Sequence, residues 1–230
     1  MSDSANIQQT VKLFHFYNNF AFAATGFTIG VKDAATGTAD IANVVVSSAG
    51  NLAAGAVGIA DVETVNLTFT DTSTSTVNSD TMTLNAAAAT AVTVAGNSNV
   101  NLSMGTSTAV TSINASAMTK ALTVTSLNTT AATTITGGSG NDLLTAATGT
   151  TADVLIGGAG DDTLTANAGL NTLTGGAGND MFVIGTASLN SSSYATITDF
   201  AAGDLIKMTG ATSFRAAAIT QADTAVFQDY

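Results

Sequence analysis

Three short segments of the sequence combine glycines and an aspartate at the same spacing. They read Gly137-Gly-Ser-Gly-Asn-Asp-Leu-Leu-Thr145, Gly157-Gly-Ala-Gly-Asp-Asp-Thr-Leu-Thr165 and Gly175-Gly-Ala-Gly-Asn-Asp-Met-Phe-Val183. Glycine permits the positive φ values and the close backbone approach of a tight turn, so that carbonyl groups face a common cavity. The aspartate adds a hard anionic oxygen, and Ca²⁺ takes about six to eight oxygen ligands in flexible geometry. The pattern predicts calcium-binding turns.

The predicted ligands hold the same positions in every segment, namely the first, third, fifth and sixth. They are Gly137, Ser139, Asn141, Asp142, Gly157, Ala159, Asp161, Asp162, Gly175, Ala177, Asn179 and Asp180. The sixth residue supplies a carboxylate, and the apolar residue two positions later is expected to point into the core. Because the segments start 20 and 18 residues apart, they are expected to stack one coil apart on the same edge. Calcium is therefore expected between the Asp142 and Asp162 turns, and again between the Asp162 and Asp180 turns.

Three further acids are candidate ligands outside these segments. Asp153 lies in the turn 146–153 on the opposite edge, and the next turn on that edge carries Asn171 instead of an acid. That edge is expected to bind calcium weakly or not at all, because asparagine supplies an oxygen without a charge. Asp199 and Asp204 could complete a terminal calcium site, although lone acids also commonly form turns.

A glycine-rich turn with incidental acids is the alternative interpretation of the same segments. Electrostatics argues against this alternative. Asp161 and Asp162 are adjacent in sequence, and Asp142 and Asp180 are expected one coil away on either side. These carboxylates would repel one another without a cation between them, since a like charge disfavours the ionised form. The sequence therefore predicts turns that loosen when calcium is removed.

Apolar residues that recur every 9 to 11 residues provide the framework for these turns. They are Leu84, Val94, Met104, Ile113, Val124, Ile135, Leu144, Leu155, Leu164, Leu173 and Phe182. This step is too short for helical repeats, and alternating pairs such as Met82 and Leu84 indicate a short strand followed by a turn. Two such steps would form one coil of about 18–20 residues, with strands about 4.8 Å apart along the axis. The predicted fold is all-β, a parallel β-solenoid or β-roll with calcium bound in glycine-rich turns.

The sequence divides into four predicted regions. An N-terminal β-rich segment, 1–60, precedes a solenoid without a calcium motif, 61–136, a calcium-binding roll, 137–183, and a C-terminal cap, 184–230. Alternation of Val65, Leu67 and Phe69 predicts a strand at 61–70, followed by a Thr/Ser-rich loop at 71–76.

The N-terminal segment is predicted to contain strands at 27–31 and 41–46. It also carries an aromatic cluster of Phe14, Phe16, Tyr17, Phe20 and Phe22. Two roles are open for this cluster. It could form a core element that caps the solenoid, or an arm that docks on another subunit, because exposed apolar patches usually mark contact surfaces.

Composition excludes some classes of protein. The net charge of −11, with five scattered basic residues, is the wrong sign for nucleic-acid binding, in which the phosphate charge dominates the affinity. Cysteine is absent, so an extracellular protein would need another stabiliser, such as bound metal. The run 13–24 is interrupted by polar residues and makes a poor secretory signal, and no stretch approaches the about 20 apolar residues of a membrane-spanning helix.

No catalytic residues are predicted. The single histidine, His15, is embedded among aromatic residues, and the chain contains neither a His-Glu-x-x-His helix nor a Gly-x-Ser-x-Gly turn. The acids are accounted for by turns and by the calcium motif. We therefore expect that the protein is not an enzyme.

The tandem glycine segments resemble the RTX nonapeptide repeat. Residues 166–174 keep the same nine-residue frame with degraded ligands. The resemblance implies a right-handed parallel β-roll that holds Ca²⁺ between the turns of successive coils. Residues 197–207 are similar to the segment that closes β-rolls in type I secreted proteins, and residues 220–230 are similar to their C-terminal export signals. The resemblance thus implies an extracellular or bacterial cell-surface location, reached without a cleaved N-terminal signal.

The Thr-, Ala-, Val- and Asn-rich remainder resembles calcium-dependent bacterial S-layer and surface proteins. The predicted function is a secreted structural protein that self-assembles into a surface layer or filament, with calcium stabilising the fold and the subunit contacts. The predicted partner is another copy of the chain, with a cell-surface glycan as a second candidate. The alternative is a calcium-dependent adhesin or an ice-binding module. Pairs such as Thr81/Thr83 and Thr134/Thr136 are irregularly spaced in sequence, which disfavours a regular ice-binding face.

Overall fold

The computed structural model describes residues 8–11, 27–30, 39–74, 78–185, 194–209 and 225–227. This part of the chain contains nineteen β-strands and no helix. The odd-numbered strands are β1 (Gln8–Val11), β3 (Ile41–Ser48), β5 (Thr64–Asp71), β7 (Ala91–Gly96), β9 (Ser112–Met118), β11 (Thr134–Thr136), β13 (Val154–Ala159), β15 (Leu170–Ala177), β17 (Tyr194–Ile197) and β19 (Ala225–Phe227). The even-numbered strands are β2 (Phe27–Gly30), β4 (Ala53–Ala60), β6 (Ser79–Asn85), β8 (Asn99–Ser103), β10 (Leu122–Thr125), β12 (Leu143–Thr145), β14 (Thr163–Ala166), β16 (Met181–Gly185) and β18 (Leu205–Thr209).

The strands form two sheets that the chain visits in turn. All odd-numbered strands lie in chain order in the ten-stranded first sheet, and all even-numbered strands in the nine-stranded second sheet. Every pairing is parallel except β17 with β19, which is antiparallel. One strand from each sheet makes one coil, so the predicted parallel β-solenoid is confirmed.

The strands form where apolar residues alternate with small polar or β-branched ones. In β5, Val65, Leu67 and Phe69 are buried, while the residues between them are partly exposed. Such residues fit a half-buried pleated surface. All eleven apolar positions of the predicted repeat are buried in the narrow core between the two sheets, which confirms the period inferred from the sequence.

Coil length varies along the solenoid and is shortest in the glycine-rich part. Paired residues of the first sheet are 27 positions apart between Thr64 and Ala91. They are 20 apart between Thr134 and Val154, and 18 apart between Val154 and Thr172. Tight glycine turns therefore accompany the shortest coils.

Charged residues are concentrated at the two edges of the solenoid. Between residues 79 and 185, Asp80 is the one charged residue within a strand, and its side chain is buried. The other acids of this stretch lie in turns. The broad outer faces of the two sheets over these residues are therefore uncharged.

The two sheets run without interruption through the predicted regional boundaries. Strands expected at 27–31 and 41–46 are present as β2 and β3, and both belong to the same sheets as later coils. Strand β16 crosses the boundary at 183/184. The division into four regions stays a prediction. The aromatic cluster, His15 and most of the tail 220–230 lie outside the described residues.

Candidate calcium site

The three glycine turns, 137–142, 157–162 and 175–180, stack on one edge of the solenoid. The first follows β11, and the other two begin within the last residues of β13 and β15. Each leads into a strand of the second sheet. The register pairs Leu143 with Thr163, Thr163 with Met181, and Met181 with Leu205. The residues that immediately precede these four strands therefore form one inner aspartate file, which consists of Asp142, Asp162, Asp180 and Asp204.

Backbone hydrogen bonds link the inner aspartate file from coil to coil. The amide of Leu122 donates to Asp142 Oδ1 at 2.7 Å, and the amide of Asp142 donates to Asp162 Oδ1 at 2.7 Å. The amide of Asp162 donates to Asp180 Oδ1, and that of Asp180 to Asp204 Oδ1, both at 2.9 Å. Each carboxylate is thus held by the preceding coil. The first three side chains are buried, so their charges are stacked away from water.

The fifth residues of the turns form a second, outer file on the solvent side. The amide of Asp161 donates to Asn141 Oδ1 at 3.1 Å, and the amide of Asn179 donates to Asp161 Oδ1 at 2.8 Å. All three side chains are exposed. These bonds run from the later coil to the earlier one, opposite to those of the inner file. The structure thus uses the fifth-position side chains to link coils from outside, separately from the buried carboxylates.

Carboxylate and carbonyl oxygens converge beside the first glycine of two turns. A side chain at Gly137 would collide with Asp142 Oδ2 and with the Gly157 carbonyl oxygen. A side chain at Gly157 would collide with Asp162 Oδ2 and the Gly175 carbonyl oxygen. Glycine is therefore required at these positions. The Asp142 and Asp162 carboxylates thus each lie close to a carbonyl oxygen of the following coil.

The glycines at the second and fourth positions also serve the backbone. Gly158 and Gly160 have φ values of 117° and 113°, and Gly176 and Gly178 have values of 103° and 136°. Residues other than glycine rarely adopt these backbone conformations. The second and third turns therefore have the predicted positive φ at their second and fourth positions. The prediction is wrong for the first turn, in which Gly137, Gly138 and Gly140 do not have positive φ.

The inner aspartates have perturbed protonation equilibria. The pKa of Asp162 is raised to about 7, mainly by burial and also by repulsion from Asp142, Asp180 and Asp161, although the hydrogen bond from the Asp142 amide lowers it. Burial likewise raises the pKa of Asp142 and of Asp180. Asp162 Oδ2 is buried without a hydrogen-bond partner. A cation beside this oxygen would neutralise the file and satisfy the unpaired atom.

The ligand set must include backbone carbonyls. Within the described residues, no three acidic, histidine or cysteine side chains converge on a metal position. The Asp142 carboxylate with the Gly157 carbonyl, and the Asp162 carboxylate with the Gly175 carbonyl, supply hard oxygen donors instead. Oxygen-only donors with flexible geometry suit Ca²⁺. The residues present therefore fit the predicted ion.

Asp199 and Asp204 both contact the third glycine turn. Asp199 accepts hydrogen bonds from the amides of Gly175 at 2.9 Å and Gly176 at 2.7 Å. Asp204 extends the inner file and also accepts from the amide of Ala201 at 2.8 Å. The structure thus brings both acids to the end of the roll, as expected. A terminal calcium ion there stays a prediction.

The opposite edge has its own hydrogen bonds. Asp153 is fully buried, and it accepts from the amide of Thr133 at 2.7 Å and from that of Ala147 at 2.9 Å. The amide of Asp153 donates to Asn171 Oδ1 at 2.9 Å. Asp153 therefore lies away from the inner aspartate file. Both of its carboxylate oxygens are paired within the chain, and the weak calcium binding expected at this edge stays a prediction.

On the edge of the glycine turns, the structure adds one residue, Asp80, that was not predicted from the sequence. Asp80 pairs with Val100, and Val100 pairs with Leu122, which lies one coil before Asp142. These three residues continue the line of the inner aspartate file into the earlier coils, and the whole line is called the inner column. Asp80 is fully buried and accepts from the amide of Leu52 at 3.0 Å, as the file aspartates do from their preceding coils. Its turn lacks the glycine pattern, so only the coil register reveals the equivalence.

Two parallel sheets with glycine–aspartate turns stacked at one edge define a calcium-binding β-roll. Residues 129–150 and 147–182 match the family profile of the RTX calcium-binding nonapeptide repeat (4 copies). These residues are RTX repeats, and Ca²⁺ is the ion that such repeats bind. No curated protein matches the chain.

The match also carries a coarse indication of function. RTX repeats are typical of secreted structural repeat regions, and their β-solenoids are typically non-catalytic. The described strands and turns include no helix that is long and apolar enough to cross a membrane.

Proposed function

We propose that the protein is a secreted calcium-binding structural subunit that self-associates into a surface layer or filament. The observation that carries the proposal is the buried inner aspartate file at one edge of a solenoid whose faces are uncharged over residues 79–185. The file requires a cation for stability, and the faces are free of the charge that would keep copies apart.

The calcium ligands are proposed to be the Asp142, Asp162 and Asp180 carboxylates together with the Gly157 and Gly175 carbonyls. Bound Ca²⁺ supplies the positive charge that offsets repulsion within the file. The chain contributes the geometry. A hydrogen bond from the preceding coil orients one oxygen of each carboxylate. Asp162 Oδ2 is left without a partner, whereas Asp142 Oδ2 also accepts from the Gly138 amide at 2.7 Å. Because metal binds the folded state, its binding free energy stabilises the fold.

Exposed apolar side chains support self-association through the calcium-binding half. Among the described residues, every large apolar side chain that is exposed lies at position 127 or later. They are Leu127, Leu143, Leu170, Tyr194, Phe200 and Leu205. Exposed apolar groups mark contact surfaces when they form a patch. Calcium would thus order the same coils that present these groups.

Electron microscopy of the purified protein, with millimolar calcium and then with a chelator, tests the proposal. Ordered sheets or filaments are expected with calcium and should disappear on chelation. An Asp162→Asn variant should fail to assemble. Asp61→Asn is the matched control, since Asp61 is exposed at φ 56°, a conformation that asparagine adopts readily. Dispersed monomers under both conditions would contradict self-assembly.

A binding module with a hydroxyl-bearing face is the second candidate function. Thr125 pairs with Thr145, and Thr145 with Thr165, so three threonines form a row on the outer face of the second sheet. This row is regular in space, and its members are 20 residues apart in sequence. It favours an ice-binding or adhesive surface. Inhibition of ice growth by wild type, lost in Thr145→Tyr but kept in Thr136→Tyr on the other sheet, would support this second function.

A further inference from the structure

A buried polar cluster lies on the calcium edge, outside the glycine repeats. It consists of Ser48, Asn78, Asp80 and Ser98, whose relative exposures are 4%, 1%, 0% and 0%. Ser48 and Ser98 belong to the coils before and after that of Asp80. The cluster therefore spans three successive coils, as the stacked glycine turns do.

Neutral groups surround the Asp80 carboxylate. It accepts from the amide of Leu52 at 3.0 Å, and its two oxygens lie 3.2 and 3.3 Å from the Ser48 hydroxyl. Among the described residues, the charged group that acts on it is another acid, Asp71. Burial raises the pKa of Asp80, and Asp71 raises it further. In the part of the chain that the structure describes, no cationic side chain balances an ionised carboxylate in this position.

Ser98 provides an independent observation. Its hydroxyl lies beside Asp80, close enough to lower the pKa of that carboxyl. The same hydroxyl is buried without a partner in hydrogen-bonding geometry. Buried hydroxyls are nearly always hydrogen-bonded, because an unpaired polar group in the interior is unfavourable. A buried hydroxyl oxygen that lies beside a carboxylate and has no such partner is available as a cation ligand.

We propose that the Asp80 carboxylate and the Ser98 hydroxyl bind a second class of calcium ion, separate from the ions of the glycine turns. Both are hard oxygen donors from neighbouring coils. Ser48 orients the carboxylate, and Asp71 adds negative charge nearby. The site has one inner carboxylate where each glycine-turn interval has two, so it binds calcium more weakly. It is filled last as calcium rises.

Calcium binding to the full chain, followed by titration calorimetry and by native mass spectrometry, tests the proposal. Asp80→Asn keeps the shape of the side chain and an oxygen that can accept from Leu52. It should bind one ion fewer than wild type, with the tighter ions unchanged. Asp61→Asn, which removes one exposed acid, should bind as many ions as wild type.

Ser98→Ala keeps the proposal testable if Asp80→Asn does not fold. The lost hydroxyl makes no hydrogen bond of suitable geometry with the described residues, so this variant should retain its β-sheet circular dichroism. Its weakest calcium ion should bind several-fold less tightly. A calcium isotherm identical to that of wild type in folded Ser98→Ala would overturn the site, and would show instead that Asp80 is buried in its protonated form.

Discussion

The coils of residues 81–136 and those of residues 137–204 share one fold but are stabilised differently. In the inner column of the calcium edge, the earlier coils place Val100 and Leu122, where the later ones place aspartates. Between residues 81 and 141, Lys120 is the single charged residue. The two halves therefore share a backbone register, but equivalent positions carry apolar side chains in one half and carboxylates in the other.

This difference separates two sources of stability. Val100 and Leu122 are buried, and burial of such side chains contributes about 1.5–3 kcal/mol each. The aspartates at the equivalent positions are buried as well, but a buried charge is unfavourable unless it is paired. The uncharged coils can thus fold without metal and present a formed edge, on which the calcium-dependent coils stack.

Calcium removal should give the largest difference in stability between the two halves. Hydrogen exchange followed by mass spectrometry should show the amides of 137–185 losing protection in chelator, because the inner file repels itself. The amides of 81–126 should keep most of theirs. A uniform loss of protection across both stretches would contradict the separation into metal-dependent and metal-independent coils.

Asp162→Asn should give the next largest effect. Asp162 takes part in both predicted calcium intervals, and removal of one partner from a buried charged pair costs on the order of 3–5 kcal/mol. Denaturant unfolding in millimolar calcium should show a loss of this size. In chelator the variant should be no less stable than wild type, because the substitution also removes repulsion. Asp61→Asn is the control under both conditions.

Leu122→Ala should destabilise the other half in a different way. Large-to-small substitution in a core costs about 2–5 kcal/mol, and Leu122 is fully buried. The loss should appear equally with calcium and with chelator, as measured by denaturant unfolding of residues 81–136 with a local probe. A loss that appears only in calcium would mean that these coils also depend on the metal.

The pH dependence of the calcium-free protein should give the smallest effect. The folded pKa of Asp162 is raised from 3.8 to about 7, so the folded state binds the proton more tightly than the unfolded state does. The stabilisation from protonation is full below about pH 4 and is lost as pH rises through about 7. Thermal melts in chelator should therefore show a lower melting temperature at pH 8 than at pH 5. Asp162→Asn should reduce this difference.

The sequence revealed the calcium half more completely than the rest. Glycine, aspartate and a buried apolar residue recur within nine residues there, so turn, ligand and core position are visible together. The buried roles of Leu144, Leu164 and Phe182 follow directly from that frame. The nine-residue frame and the coil length match in this region, so the strand register can be predicted from the sequence.

Other features depend on a register that the sequence does not display. Asp80 joins the inner column only through apolar residues in coils of unequal length. Asp199 reaches the Gly175 and Gly176 amides across a coil whose paired residues are 24 positions apart, as for Thr172 and Thr196. The outward direction of Asn141 and Asp161 likewise depends on which face of the turn each side chain takes. These placements require three-dimensional information.

The presence of an inner and an outer file of hydrogen bonds at the same edge has a mechanical consequence. At the 142–162 interval, an inner bond runs from the Asp142 amide to the later coil, and an outer bond runs from the Asp161 amide to the earlier one. A force that slides one coil over the next must stretch both bonds at once. A force that peels the last coil away meets them one after another. The roll should therefore resist lateral tension, as within a stretched layer, and fail by unwinding from an end.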